Sequence, residues 1–306
     1  MKRGPALPLV CAALGLAYAC SEYEPKGWLV DRTRVLGARI EATAEPARAS
    51  LFPSERATVT WLIVGPDAPP RLSWSYAACL PPEGYYASPR CSGPVLGSGA
   101  GTSDGELVTM ALETPVLEVL GEASELLLLG AFCAKGAVAL DARGFTATCS
   151  EGGEALLAST RVRLASSGIN HNPVIADDAI RLGDSVLPPA RFSVAVGPCI
   201  GAPDAPLVLP GVERELRVRL DDAAREAVSG GREGLILSNV VTSGELERQY
   251  SSVDPGEAAP GPITVELTAP QPQPGEVSGR LVRLFFVLRD DRGAMGFAVR
   301  SICVRP

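Results

Sequence analysis

The sequence predicts an all-β protein: two β-sandwich domains in tandem behind an N-terminal export signal. Three observations predict it. The chain of 306 residues holds 32 glycines and 27 prolines, a density that helices do not tolerate but that strands joined by many turns do. Apolar and polar residues alternate with period two in short segments bounded by turn clusters. The pattern pauses at "SSGINHNPVI" (166–175) and then starts again. At roughly 100–200 residues per domain, the length suits two domains with cores of their own.

The first nineteen residues have the parts of an export signal: Lys2 and Arg3, a short apolar run to Leu16, then small residues. The run is too short to span a bilayer, which takes about 20 residues. Ala17-Tyr18-Ala19 suits simple cleavage, and Cys20 suits lipidation. The spans expected are a signal peptide (1–19), a tether (20–30), a first domain (31–167) and a second (168–306).

In the first domain, Val35 to Ala42 predicts a strand before Pro46. "RATVTWLIV" places Val59, Trp61 and Ile63 on one face, with Thr58, Thr60 and Leu62 on the other. "RLSWSYAAC" places Leu72, Trp74 and Tyr76 together, and a tryptophan on each of two strands suggests the space between sheets. "EGYYASPRCSGPVLGSGAGTSDGE" reads as a long surface excursion. "LVTMALETPVLEVL" reads as strand, "ELLLLGAFCA" as a buried strand, "AKGAVALDARGFTAT" as a hairpin and "ALLASTRVRLA" as the closing strand. In the second domain, "RFSVAVGPC", "VERELRVRLDD" and "LILSNVVTSGEL" read as strands. The clearest hairpin has arms Leu281–Leu288 and Met295–Val304 around "RDDRGA".

Six cysteines lie beyond Cys20: Cys79, Cys91, Cys133, Cys149, Cys199 and Cys303. An exported chain meets an oxidising compartment, so these are disulfide candidates. None forms a C-x-x-C pair and only one histidine exists, so no metal site is expected. With Cys20 acylated, six cysteines remain to pair completely. Six allow many connectivities; Cys79–Cys91, Cys133–Cys149 and Cys199–Cys303 is favoured because it keeps each bond within a domain. The long loop closed by the last would restrict the unfolded chain by about 4–5 kcal/mol.

"RVLGARIEATAEPARASLFPSERATVTWLIVGPDAPPRLSWSYAAC", "NHNPVI" and "VLRDDRGAMGFAVRSICV" together resemble a group of uncharacterised bacterial outer-membrane lipoproteins with immunoglobulin-like or PKD-like domains. The matching points are Arg34-Val35-Leu36, the run from Ser54 to Val59, Trp74 with Cys79, the Asn-x-Asn-Pro junction and the closing R-D-x-R-G hairpin. The resemblance implies immunoglobulin-like sandwiches and an outer-membrane lipid anchor at Cys20, with no assigned activity. Gly-Asp-Gly, the PKD signature, is absent. Ser54 stands where the group carries glycine, which predicts a different turn.

Net charge is −7, and −9 without Lys2 and Arg3. Such a chain repels phosphate backbones, so no nucleic-acid partner is expected. His171, the only histidine, reads as an exposed linker residue, and no Gly-x-Ser-x-Gly elbow accompanies it. Asp290 and Asp291 could form a calcium site or paired carboxylates, but they read best as turn formers beside Gly293. Asp177-Asp178 and Asp221-Asp222 read alike. Tyr85 and Tyr86 are a candidate contact patch for sugars or peptides. No cofactor is expected. The function expected is a non-catalytic structural or binding role in the cell envelope, on a lipid anchor or, alternatively, as a soluble periplasmic or secreted protein. The alternative roles are a carbohydrate- or protein-binding, adhesin-like module of an envelope complex, with a protein or polysaccharide partner, and a carboxylate-based hydrolase.

Overall fold

Alternation becomes strand wherever one face of a segment finds a core. A computed structural model describes residues 26–67, 71–82, 88–191, 198–199, 202–220, 225–228, 231–257, 261–272 and 278–305. The signal segment, Cys20, Tyr85, Tyr86, Asp221, Asp222 and most of "RFSVAVGPC" lie outside these residues.

The first half contains β1 (Arg34–Ala42), β2 (Arg56–Val64), β3 (Leu72–Cys79), β4 (Gly97–Ser103), β5 (Leu107–Glu113), β6 (Glu125–Cys133), β7 (Val138–Asp141), β8 (Thr146–Cys149) and β9 (Leu156–Arg163). Sheet β1-β2-β5 faces sheet β4-β3-β6-β9, while β7 and β8 form a separate hairpin. The second half contains β10 (Ile180–Leu182), β11 (Ser185–Val186), β12 (Leu207–Val208), β13 (Glu213–Val218), β14 (Ala227–Val228), β15 (Gly231–Arg232), β16 (Leu235–Val241), β17 (Glu245–Leu246), β18 (Tyr250–Val253), β19 (Ile263–Thr268), β20 (Arg280–Asp290) and β21 (Met295–Val304). Its sheets run β11-β10-β13-β19-β17 and β12-β21-β20-β16-β18. The order β10-β13-β19 against β18-β16-β20-β21 repeats that of the first half.

Each half buries its own cluster. Val59, Trp61 and Ile63 point into the first, where Trp61 meets Phe132 edge-to-face at 5.7 Å. Val282, Leu284, Phe286 and Leu288 point into the second. A third cluster joins the opposite faces of the same strands: Leu62 and Val64 of β2 meet Phe285 and Val287 of β20 and Met295 and Val299 of β21. These strands are therefore buried on both faces, which explains the unbroken run "LFFVL".

The disulfides are Cys79–Cys91, Cys133–Cys149 and Cys199–Cys303. Three such bonds belong to an oxidising compartment, extracellular or periplasmic. No helix among the described residues is long and apolar enough to cross a membrane.

Three local expectations are corrected. "GSGAGTS" is not a loop but strand β4, paired with β3 throughout. Its glycines make room: a Cβ on Gly99 would lie 2.7 Å from the Tyr76 ring and one on Gly101 2.6 Å from the Trp74 ring. "PVLEVL" is not strand; Leu117–Leu120 forms one helical turn after β5. Residues 28–30 are not free tether. Leu29 bridges Val241 in parallel, and the buried Val30 joins the cluster between the halves, because the apolar "WLV" finds a surface there.

Candidate functional site

The polar residues that could carry function gather where the halves meet. The junction "NHNP" is a joint, not an exposed linker. Asn170 and Asn172 are buried. The Asn172 side chain donates to the Ile40 carbonyl at 2.6 Å and accepts from the Met295 amide at 3.2 Å, so one residue holds both halves. Gly296 lets Pro173 lie directly on β21, since a Cβ there would come within 2.0 Å of the Pro173 carbonyl.

His171 is half-buried. Its Nδ1 contacts Glu226, and its Nε2 lies 3.3 Å from Glu45. Burial lowers its pKa, but hydrogen bonds and charge from the two carboxylates outweigh this, and the net direction is upward. Arg292 binds Glu226, and Glu233 at 2.6 Å, and reaches the Ile169 carbonyl at 3.2 Å. Burial would raise the Glu226 carboxyl; Arg292 and His171 hold it below the ordinary range. Glu233 is pushed up, first by burial and also by the nearby Asp290 charge.

Asp290 and Asp291 do not act as a pair. Asp290 is buried, and its Oδ1 accepts the amides of Arg292 at 3.0 Å and Ala294 at 2.7 Å, closing the β20–β21 turn. Burial raises its pKa. Asp291 is exposed. Among the described residues, no three His, Cys, Asp or Glu gather as a metal site.

A second buried contact crosses the halves. Arg283 on β20 forms a two-pronged ion pair with Glu106, the second bond at 2.5 Å, and both side chains are almost wholly shielded. Burial raises the Glu106 carboxyl and Arg283 opposes it. Removing one partner of such a pair costs about 3–5 kcal/mol, because the other charge stays buried.

Beside this joint opens a cleft of about 780 Å3. Its walls are residues 32–38, at the start of β1, and 154–160, at the start of β9, each the edge strand of its sheet. Its floor is the turn of the last hairpin, with Arg289, Asp290 and residues 293–295. The β1 register shifts between Val35 and Gly37, so Leu36 is an extra residue in the ladder. Such bulges blunt a sheet edge and re-aim a group. Here the Leu36 carbonyl accepts a hydrogen bond from Arg289, across the two halves. Gly37 permits the approach, since a Cβ there would lie 2.4 Å from Met295 Sδ and 3.1 Å from Arg289 Nη2. Sequence reading missed Arg34 and Arg289; their only signal was a charge inside a strand facing apolar neighbours.

No protein-family model matches the chain, and no curated protein matches its sequence. Among solved structures it is similar to a red sea bream transglutaminase, at 10% identity and a TM-score of 0.27, covering 90% of this chain and 32% of that one. It is also similar to an Escherichia coli alpha-2-macroglobulin in its native conformation, at 10% identity and a TM-score of 0.24, covering 89% of this chain and 17% of that one. The chain spans a third or less of either.

Proposed function

We propose that the protein is a non-catalytic binding protein of the cell envelope, anchored by a lipid at Cys20. In this reading its two tandem immunoglobulin-like sandwiches are locked together to present the inter-half cleft. The first half's three-against-four strand order, which recurs within the five-stranded sheets of the second half, supports two such domains. The observation that carries the reading is the cleft itself, walled by two edge strands and floored by the other half's hairpin. Groups suited to acid–base chemistry nearby are engaged in holding the joint: His171 by Glu226 and Glu45, Asp290 by turn amides.

A photo-crosslinking residue in place of Leu157, exposed on the cleft wall, tests the reading in cells. It is expected to capture an envelope component, while Cys20→Ser moves the chain from the detergent phase to the soluble fraction. Turnover of a polysaccharide that a single carboxylate change abolishes would overturn the non-catalytic reading. Unchanged partition of Cys20→Ser would overturn the anchor.

A further inference from the structure

Arg34 and Arg289 come from different halves and share the wall of a second, smaller cavity. It measures about 280 Å3; Ser238, Gln249 and Tyr250 complete its polar lining, beside apolar residues such as Val240 and Val287. That is near the lower end of ligand pockets, which run about 300–1,000 Å3. Among the described residues, neither guanidinium has a carboxylate within ion-pair distance, in a chain of net charge −7. Arg34 gives Nη1 to the Gly27 carbonyl at 2.8 Å, while its Nε and Nη2 are buried with no acceptor. Arg289 is fixed by Ser238 Oγ at 2.9 Å and by the Leu36 carbonyl. Burial holds both arginines below their ordinary pKa; the Asp31 charge opposes this at Arg34, and the Tyr250 phenol lies in electrostatic reach of both.

Two partly desolvated cations with no carboxylate in ion-pair contact are costly unless an anion meets them. The rest of the lining shows which kind. Ser238 accepts from Arg289 and keeps its own hydrogen to donate. Gln249 offers both a donor and an acceptor. Tyr250 is 59% exposed, and an exposed aromatic face packs on the apolar face of a ring that carries polar groups at its rim. A bare ion uses only the arginines; a ring with hydroxyls and one carboxylate uses all five.

We propose that this cavity binds one acidic sugar residue of a saccharide, its carboxylate between Arg34 and Arg289 and its ring against Tyr250. The proposal rests on the reading of the protein as an envelope binding protein and names its ligand class. Calorimetric titration of the folded chain with glucuronate, glucose, acetate and inorganic phosphate tests it. Glucuronate is expected to saturate, glucose not to bind, and acetate and phosphate to bind about tenfold more weakly or less. Arg34→Gln should weaken glucuronate about tenfold, the loss of a charge-assisted contact. Tyr250→Ala, a surface change that leaves folding intact, should weaken glucuronate and leave acetate unaltered. No saturation by glucuronate, equal binding of acetate or phosphate, or indifference to Tyr250→Ala would each overturn the proposal. Capture at Leu157 in the larger cleft is read separately, so the binding role can stand while this ligand falls.

Discussion

At the scale of single residues, Ser54 shows how strained a position this chain tolerates. It adopts a φ of 58°, the left-handed region where a side chain costs roughly 1–2 kcal/mol. This is a backbone form that glycine takes without cost. Its neighbours impose that form. Glu55 accepts the Phe52 amide at 2.8 Å and Arg48 Nη1 at 2.9 Å, and the Thr114 hydroxyl donates to the Phe52 carbonyl at 2.6 Å. The Ser54 side chain itself is exposed. Ser54→Gly is therefore expected to stabilise the protein by about 0.5–1 kcal/mol, after the greater freedom of glycine in the unfolded chain is set against the relieved strain. Urea unfolding measures this, and a loss of stability would contradict it.

At the scale of elements, β4 separates propensity from packing. Glycine weakens a strand, and valine favours one by up to about 1 kcal/mol. Yet Gly101 lies beneath the Trp74 ring, 2.6 Å from where a Cβ would sit. Gly101→Val is expected to destabilise by about 1–3 kcal/mol through overpacking and to shift tryptophan emission to the red. In the same strand, a Cβ on Gly97 would meet only Ala78, at 3.8 Å. Gly97→Thr should be neutral or stabilising, so clearly different effects are expected four residues apart. Equal effects would refute the packing account. This strand also shows what was legible in the sequence. Strands that carry their own alternation, such as "ATVTWLIV", could be read directly, as could the last hairpin. A strand of glycine and serine has no alternation; it is strand only because aromatic side chains of β3 cover it. The bonds from Cys79 to Cys91 and Cys133 to Cys149 were legible because they close local excursions. Arg34 and Arg289 were not, because only a bulge and a contact between the halves bring them together.

At the scale of the whole molecule, the halves are joined by apolar packing and by polar contacts of two kinds. The Glu106–Arg283 pair is shielded from water, so salt screens it little. The His171 cluster is different: its imidazole is 38% exposed and its bonds respond to both salt and pH. Glu226 and Glu45 raise the folded-state pKa of His171 above the unfolded value of about 6.5. The folded protein therefore holds this proton more tightly than the unfolded chain. The stability this contributes is complete below about pH 6.5 and is lost as pH rises through the folded value. The joint should accordingly loosen as pH rises through the folded-state pKa, modestly because the group is partly solvated. The single histidine makes the test direct: its ring protons, followed by NMR against pH, should titrate above the ordinary value. Hydrogen exchange of the amides from Asn170 to Asn172 and at Met295 should speed up across the same range, beyond the intrinsic pH dependence of exchange. In His171→Gln that extra step should vanish while the amides of the two cores stay protected. A titration at or below the ordinary value, or a step that survives in His171→Gln, would show that the joint is held by its buried contacts alone.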